Sequence, residues 1–524
     1  MTLKTTAEAA VAIDEEVRLS VGNVEYVLIP HEDSFVSLDG DGNGDASGPV
    51  LFLVYPTKPG QTISRDSLRN FRADVLDRDD IFQPAFGTHV VFYGSSEQDL
   101  QIAPDAKEEL AEWNTKKWTF VQGDPSCQVA PGPLDFPEAG IDGRVIVPSR
   151  CYYKPSKYRP LDGLRVAVKD SIHIEGHKTT LNNLAWRELY PPASKHAHCV
   201  QLLIDAGAII VGKVKLQAMI VREEPVEAVE FTDPFNPRGD RYQVPSGSSS
   251  GSAAAIGSYD WLDLSLGSDT NGSVRKPAHY NGCHTIRPTT GIMNTDGVVG
   301  FFPEFDMPGF FGRDLSRFPE IMSVWYGDSP VLRTPSEMPV EILFPHDYLP
   351  TPNAEQSRVI DSFIAALETS LRVKRTPVSI AKLWKEHKPD GPQNTDISNY
   401  LETAGIYPFF HDSYRATEPF RVEYEKKFGR PPFVHRFEHW MWPCKLLNGY
   451  ASLNMSPIMR APEVTAIVGQ ISFKSAVTGK MEPYPVAASV IGPPGSDLLI
   501  IQLTEKAMRE AGIPIEVKTG AGVY

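Results

Sequence analysis

From about residue 145 to the end of the chain, apolar strand-like segments alternate with helix-like segments. The segment AIIVGKV at 208–214 constrains the fold most, because it is apolar without the every-second-residue alternation of a half-exposed strand. An unbroken apolar strand is typical of a sheet that is covered by helices on both faces. LRVAVKD at 164–170 and WLDLSLGSD at 261–269 are also strand-like. The pattern therefore predicts an α/β fold, a mixed twisted sheet with helices on both faces.

Helical spacing of apolar residues accompanies these strands. SKHAHCVQLLIDAG at 194–207 predicts a helix with Gly207 as its stop, and SAAAIGSY at 252–259 predicts a short second helix. SDLLIIQLTEKAMREAG at 496–512 has a serine in the capping position and a terminal glycine, so it predicts a third helix. The aromatic-rich region 385–445 is interpreted as mostly helical.

Residues 1–125 show a different pattern of strand-like and helix-like segments from the rest of the chain. The strand-like segments VEYVLIP, VLFLVYP and THVVFYG are interrupted by helix-like segments, which predicts a small α+β N-terminal domain of unknown role. Residues 126–145 are rich in proline and glycine and are interpreted as a linker. The α/β pattern then predicts a second domain over 146–524.

Composition excludes several classes of function. The 524 residues carry 51 Lys and Arg against 66 Asp and Glu, a net charge of −15, which argues against nucleic-acid binding. The five cysteines are scattered and form no CxxC pair, so a reducing compartment is expected and neither a metal site nor a disulfide framework is indicated. No secretory signal and no apolar run of 18 residues is present, so we expect a cytoplasmic protein without membrane contact.

Two serine- and glycine-rich clusters carry the chemistry. SGSSSGS spans 246–252, and GSDTNGSVR spans 267–275 at the carboxyl end of a predicted strand. Lys169 ends another predicted strand. Serine supplies a nucleophilic hydroxyl, and a lysine acts as its base when burial keeps the amine neutral. Taken singly, each motif has an ordinary structural interpretation: a solvated strand-end lysine, a flexible loop and a β-turn.

A second interpretation of the first cluster makes Ser249 the nucleophile. Residues 247–251 match the GxSxG pattern of α/β hydrolases, which requires an apolar strand directly before it. The residues that precede it, PRGDRYQVP, are polar and end in proline. This alternative is therefore disfavoured, although the pattern alone leaves it open.

The three motifs in this order resemble the amidase signature family, and SSSGSA is closest to the spelling of indole-3-acetamide hydrolases. The resemblance is strong over roughly 145–300, and it makes 146–524 an amidase-signature catalytic domain. It implies a Ser–cis-Ser–Lys triad in which Lys169 is the base, Ser248 follows a cis peptide bond, and Ser273 is the nucleophile.

The resemblance also implies the residues around the triad. The backbone amides of Thr270, Asn271, Gly272 and Ser273 would form the oxyanion hole. Four neighbouring residues would have supporting roles: Gly247, Ser249, Asp269 and Arg275. Asp269 and Arg275 would hold the loop in place. Two departures concern the substrate: Asn271 replaces an expected glycine, and VKLQAM at 214–219 replaces the family's TNMPEF.

These features predict an amidase that hydrolyses a small-molecule carboxylic amide with an aromatic or apolar acyl group, without metal or cofactor. An amide-forming acyltransferase with the same triad is an alternative, motivated by the altered 214–219 segment and the extra domain. A non-catalytic binding protein on the same fold is a third, motivated by Asn271. The fold class is also compatible with a homodimer.

Overall fold

The computed structural model describes most of the chain. The described residues are 2–3, 17–21, 24–28, 50–51, 53–121, 147–151, 153–221, 228–333, 341–388, 390, 396–400, 407–435 and 454–524. The chain divides into two compact units, Met1–Lys154 and Pro155–Tyr524. The predicted linker at 126–145 lies outside the described residues.

The first unit combines short strands with two α-helices among its described residues. Its strands are β1 (Thr2–Leu3), β2 (Val17–Val21), β3 (Val24–Leu28), β4 (Val50–Leu51), β5 (Leu53–Pro56), β6 (Thr62–Ile63), β7 (His89–Tyr93), β8 (Gln101–Ile102) and β9 (Lys117–Val121). Its helices are α1 (Arg65–Phe71) and α2 (Pro104–Glu112). Three strands form a parallel sheet in the order β5-β7-β9. Ser149 and Arg150 bond to Asp79 within this unit.

The second unit contains nine strands and twelve α-helices among its described residues. The strands are β10 (Arg165–Lys169), β11 (Ile209–Val214), β12 (Leu264–Asp269), β13 (His284–Arg287), β14 (Met307–Gly312), β15 (Ile342–Pro345), β16 (Arg375–Val378), β17 (Glu463–Lys474) and β18 (Met481–Ile491). The helices are α3 (Leu184–Leu189), α4 (His198–Asp205), α5 (Ser250–Ser258), α6 (Arg275–Asn281), α7 (Phe318–Tyr326), α8 (Ala354–Leu371), α9 (Ile380–His387), α10 (Ile397–Tyr400), α11 (Tyr407–Ala416), α12 (Glu418–Phe428), α13 (Met455–Ile458) and α14 (Asp497–Glu510).

Seven strands of the second unit form one mixed sheet, in the order β11-β10-β12-β14-β13-β17-β18. The first three run parallel, and the remaining pairs are antiparallel. Alternate residues of β10 face different helices: Val166 and Val168 belong to the core cluster that includes α4, α7, α8 and α14, whereas Ala167 packs with α5 and α6. The predicted mixed sheet with helices on both faces is therefore confirmed.

The ends of several predicted helices shift in the structure. The helix predicted over 194–207 begins at His198, preceded by Ala197 in an extended conformation. The helix predicted over 496–512 runs from Asp497 to Glu510, but the Ser496 hydroxyl donates to the Pro493 carbonyl, 2.6 Å away, instead of capping the first turn. In the region 385–445, α11 and α12 are helical as predicted, and 436–445 lies outside the described residues.

The parallel pairing of β10 with β12 determines where the site forms. Val166 lies opposite Leu264 and Val168 opposite Leu266, so both strands end at the same edge of the sheet. Lys169 is the last residue of β10, and Asp269 is the last residue of β12. Because α/β sheets place their sites at the carboxyl ends of parallel strands, this edge is the candidate site.

In the described parts of the chain, no helix is both long enough and apolar enough to cross a membrane.

Candidate active site

Lys169 is a completely buried lysine at the end of β10, with an exposed fraction of 0%. Its Nζ lies 2.9 Å from Ser248 Oγ and 3.0 Å from Ser268 Oγ, and 3.4 Å from the Ser268 carbonyl oxygen. Burial lowers its pKa to about 7, against the opposing attraction of Asp269 and Asp306. An amine with this pKa is substantially neutral near pH 7 and can accept a proton.

Ser248 follows a cis peptide bond from Gly247. The residue is 3% exposed, and its carbonyl accepts a hydrogen bond of 3.0 Å from the Gln217 N–H. The Gln217 side chain lies directly against Gly247, where an added Cβ would collide with it. A side chain at position 247 would have to displace Gln217, and segment 214–219 supports the loop that carries Ser248.

Ser273 lies half-buried between β12 and α6, in the loop that follows Asp269. Its carbonyl accepts a hydrogen bond of 3.2 Å from the Ser249 N–H, which joins this loop to the one that carries Ser248. The structure thus places Lys169 and Ser248 in direct contact and attaches the Ser273 loop beside them. Ser249 is fully buried, and its hydroxyl lies 3.3 Å from the Ser268 carbonyl oxygen, to which it donates.

Asp269 is the fixed centre of the second loop. Its carboxylate accepts from the backbone N–H of Gly272 at 3.0 Å and of Val274 at 2.9 Å. It also accepts two hydrogen bonds from the Arg275 guanidinium, at 3.0 and 3.2 Å. Burial raises the pKa of Asp269, but the charges of Arg275 and Arg287 outweigh burial and hold that pKa well below its ordinary value.

Arg275 and Arg287 connect this carboxylate to the rest of the sheet. Arg275 also pairs with Glu463 at the start of β17, at 2.8 Å, and Arg287 on β13 donates to the Asp269 carbonyl oxygen at 3.0 Å. All four side chains are buried, so the charges compensate one another without help from solvent. The network fixes the backbone between Asp269 and Arg275.

We expect Asp269→Asn to lower the free energy of unfolding by about 3–5 kcal/mol, because it leaves buried arginines without their partner charge. Urea unfolding followed by circular dichroism measures the change. Glu320→Gln is a matched control, because it removes one charge of an exposed pair with Arg317 in the same unit and should cost less than about 1 kcal/mol. Equal losses in the two variants would contradict the role given to Asp269.

One of the backbone N–H groups predicted for the oxyanion hole already has a partner in the structure. The Gly272 N–H donates to Asp269, whereas the sequence placed it among the oxyanion donors. Thr270 and Asn271 precede it in the loop, and the Thr270 hydroxyl donates to Asp306. The amides that stay candidates are those of Thr270, Asn271 and Ser273, while Gly272 sets the curvature of the loop at a φ of +121°.

Several residues near Lys169 had no role assigned from the sequence. Ser268 bonds to Lys169, Glu463 and Arg287 belong to the buried charge network, and Asp306 accepts from Thr270. A carboxylate between Phe305 and Met307, at the start of an apolar segment, is the one sequence signal that could have identified Asp306. His196, which lies close in sequence to His198 and Cys199, accepts from the Glu175 N–H at 3.1 Å. Within the described ranges, no group of three His, Cys, Asp or Glu side chains could hold a metal ion.

Comparison with known proteins gives the same family for this region. The amidase family model matches residues 150–359. Amidase 1 of Oryza sativa subsp. japonica is 37% identical over 170 residues, which are 32% of this chain and 38% of that protein. A glutamyl-tRNA(Gln) amidotransferase subunit of Natronomonas pharaonis is 38% identical over 174 residues, 33% of this chain and 40% of that protein. The chain therefore spans about two fifths of the length of these relatives.

A solved allophanate hydrolase from Kluyveromyces lactis has a similar fold. The likeness covers 68% of this chain and 64% of that one, with a TM-score of 0.50 and 20% sequence identity. This structural similarity supports the fold and says nothing about the function. The closer likeness to indole-3-acetamide hydrolases and the separate role of residues 1–125 stay predictions.

Proposed function

We propose that this chain, whose residues 150–359 belong to the amidase family, hydrolyses a carboxylic amide through an acyl-enzyme on Ser273. The observation that carries the proposal is the 2.9 Å hydrogen bond between Lys169 and Ser248, buried at the edge of the sheet where the Ser273 loop begins. A buried lysine bonded to hydroxyls, with its pKa lowered to about 7, has the properties of a general base.

The proposed reaction starts with proton transfer along the triad. Ser273 Oγ attacks the carbonyl carbon of the amide and gives its proton to Ser248 Oγ, while Ser248 passes its own proton to Lys169 Nζ. The C–N bond of the tetrahedral intermediate then breaks, and the proton returns from Lys169 through Ser248 to the leaving nitrogen. The product is an amine and an ester on Ser273. Water, deprotonated by the same relay, attacks the ester and releases the carboxylic acid.

The backbone amides of Thr270, Asn271 and Ser273 are the proposed partners of the oxyanion. Preorganised N–H donors stabilise the negative charge that develops on the carbonyl oxygen, and each is worth about 3–4 kcal/mol of transition-state energy. The Asp269 network keeps the loop backbone fixed before the substrate arrives. The Gly272 amide belongs to that support and not to the hole.

An aromatic or apolar acyl group is the proposed substrate preference. Segment 214–219 contributes Leu216 and Met219 to a buried apolar cluster with Phe301 and Phe302. The same segment bonds to the Ser248 carbonyl through the Gln217 N–H. This buried apolar environment behind the relay loop is what supports a preference for acyl groups without charge.

The test is a fluorophosphonate probe, which reacts covalently with an activated serine, followed by intact-mass measurement. We expect one adduct on the wild-type chain, located on Ser273 by peptide mapping. A panel of primary amides and esters, assayed for acid release, then identifies the substrate class. An unlabelled chain that turns over none of the panel would reject the hydrolase and favour a binding protein.

An amide-forming acyltransferase is a second candidate, favoured by the similarity to part of an amidotransferase. The two functions differ in the acceptor that removes the acyl group from Ser273. Incubation with an ester substrate and a competing amine separates them by product analysis. Free acid as the sole product supports hydrolysis, whereas an amide product at millimolar amine supports transfer.

A further inference from the structure

Asp306 is a buried carboxylate that touches the candidate oxyanion loop from the neighbouring strand. It immediately precedes β14, whose first residue Met307 lies opposite Asp269 at the end of β12. One carboxylate oxygen accepts a hydrogen bond from the Thr270 hydroxyl. The other accepts from the Phe302 N–H at 2.8 Å. Both oxygens are therefore used, and they connect the start of the loop to the turn before β14.

The turn that holds Asp306 is itself well fixed. The N–H groups of Phe305 and Asp306 both donate to the Phe302 carbonyl, at 2.9 and 3.0 Å. The Asp306 carboxylate also lies against Gly300, where an added Cβ would collide with it. Arg287 donates to the Phe305 carbonyl oxygen at 2.9 Å. A carboxylate enclosed in this way is a rigid support for the group that it binds.

The charges around Asp306 come from three strands. Lys169 on β10 and Arg287 on β13 attract it, and Asp269 at the end of β12 acts with it on Lys169. Burial raises the pKa of Asp306 to about 6, against the hydrogen bonds from Thr270 and Phe302 and the two positive charges. At neutral pH Asp306 is therefore mostly ionised. Its negative charge in turn raises the pKa of Lys169.

We propose that Asp306 is a positioning residue for the oxyanion loop, which it holds in place through the hydroxyl of Thr270. The inference rests on the proposed function, since it gives the loop a catalytic purpose. Asp306 itself does not contact the substrate. It fixes the side chain of Thr270, and with it the direction of the backbone N–H groups at the start of the loop.

Two substitutions separate the hydrogen bond from the charge. Thr270→Val keeps the side-chain volume and removes the bond, and we expect kcat to fall about 10- to 100-fold with little change in KM, since a hydrogen bond to a charged group is worth about 1.5–3 kcal/mol. Thr270→Ser restores the hydroxyl and should recover most of that loss. In Asp306→Ala the bond is already absent, so adding Thr270→Val should lower kcat no further.

The substitution Asp306→Asn tests the effect of the negative charge of Asp306 on the pKa of Lys169. Because the carboxylate raises the pKa of Lys169, its neutralisation should move the acid limb of the kcat/KM profile to lower pH. Thr270→Val removes a hydrogen bond that lowers the pKa of Asp306, so it should move the limb in the same direction but by less. Asp497→Asn is the matched control, a buried carboxylate in the same unit that also accepts from a threonine hydroxyl, that of Thr289. It should lower thermal stability without moving the limb.

The outcomes distinguish this inference from the proposed function. A wild-type chain that shows neither probe labelling nor turnover rejects the proposed function. If the wild type is active, equal kcat for Thr270→Val and wild type overturns the role of Asp306, as do additive losses in the double variant. Should Asp306→Ala fail to fold, Thr270→Val and Thr270→Ser still decide the question, because neither replaces a charged residue.

Discussion

Ser273→Ala is expected to lower kcat/KM for the amide substrate by about 10⁴- to 10⁶-fold, the range found when a serine nucleophile is removed from a catalytic triad. Alanine has no hydroxyl, so no acyl-enzyme forms. The fluorophosphonate adduct should also disappear from the intact mass. Steady-state assays at high enzyme concentration, combined with mass measurement, give both results. The fold should be unaffected, because Ser273 is only half-buried and alanine keeps the carbonyl that accepts from the Ser249 N–H.

Ser252→Ala is the matched control for Ser273→Ala. Ser252 lies in α5, and its buried hydroxyl donates to the Leu266 carbonyl oxygen at 2.8 Å. Its loss should cost stability and leave the adduct unchanged. An adduct on Ser249, with activity retained in Ser273→Ala, would instead support the GxSxG alternative. The contact of the Ser249 hydroxyl with the main chain of Ser268 argues against that outcome.

Lys169→Met is expected to lower kcat/KM by about 10²- to 10⁴-fold, the usual contribution of a general base. In the wild type, kcat/KM should rise as the pH rises through about 7, because the proton acceptor is the neutral amine and burial lowers its pKa to about 7. The variant has no such amine, so its residual rate should lack this limb. Rates measured between about pH 5.5 and 9 on the same substrate test both statements.

The same substitution has a consequence for stability. The unfolded chain binds a proton at Lys169 up to its ordinary pKa of 10.5, whereas the folded chain releases it near pH 7. Since the unfolded state binds more protons between these values, this lysine makes stability rise with pH across that window. Near pH 7 the buried amine is therefore unfavourable, and we expect Lys169→Met to unfold at a temperature no lower than the wild type.

Lys213→Met is the control for Lys169→Met, because it makes the same change on the adjacent strand. Lys213 pairs with Asp170 at 2.9 Å and also donates to the Thr179 hydroxyl, so its loss should destabilise the fold. It should not move the acid limb of the rate profile. A limb that persists in Lys169→Met, or moves in Lys213→Met, would show that another group is the base.

The strands and helices around the site follow from local patterns in the sequence. The largely apolar character of 208–214 and the polar loop after Leu266 are enough to predict the sheet and the edge where chemistry is placed. The placement of Lys169 beside Ser248 follows from the family resemblance instead, since the residues are 79 positions apart and no local pattern joins them.

Other features depend on packing that a single sequence does not display. Asp306 approaches Thr270 only because β14 inserts antiparallel between β12 and β13. The Gly272 amide turns toward Asp269 because a buried carboxylate gains from every donor within reach. The shortened helix at His198 has the same kind of origin: the Ala197 N–H bonds to the His173 carbonyl, which holds the preceding residues in an extended path.

The hydrogen bonds of Lys169 to Ser268 join residues that are 99 positions apart, on two strands that are adjacent only in the finished sheet. Contacts of this sequence separation form late, because a long loop must close before they give any stability. A chain refolding from denaturant should therefore regain its secondary structure earlier than the proposed activity. Recovery of activity would then mark the final closure of the sheet, which makes an enzymatic assay the most stringent report of correct folding.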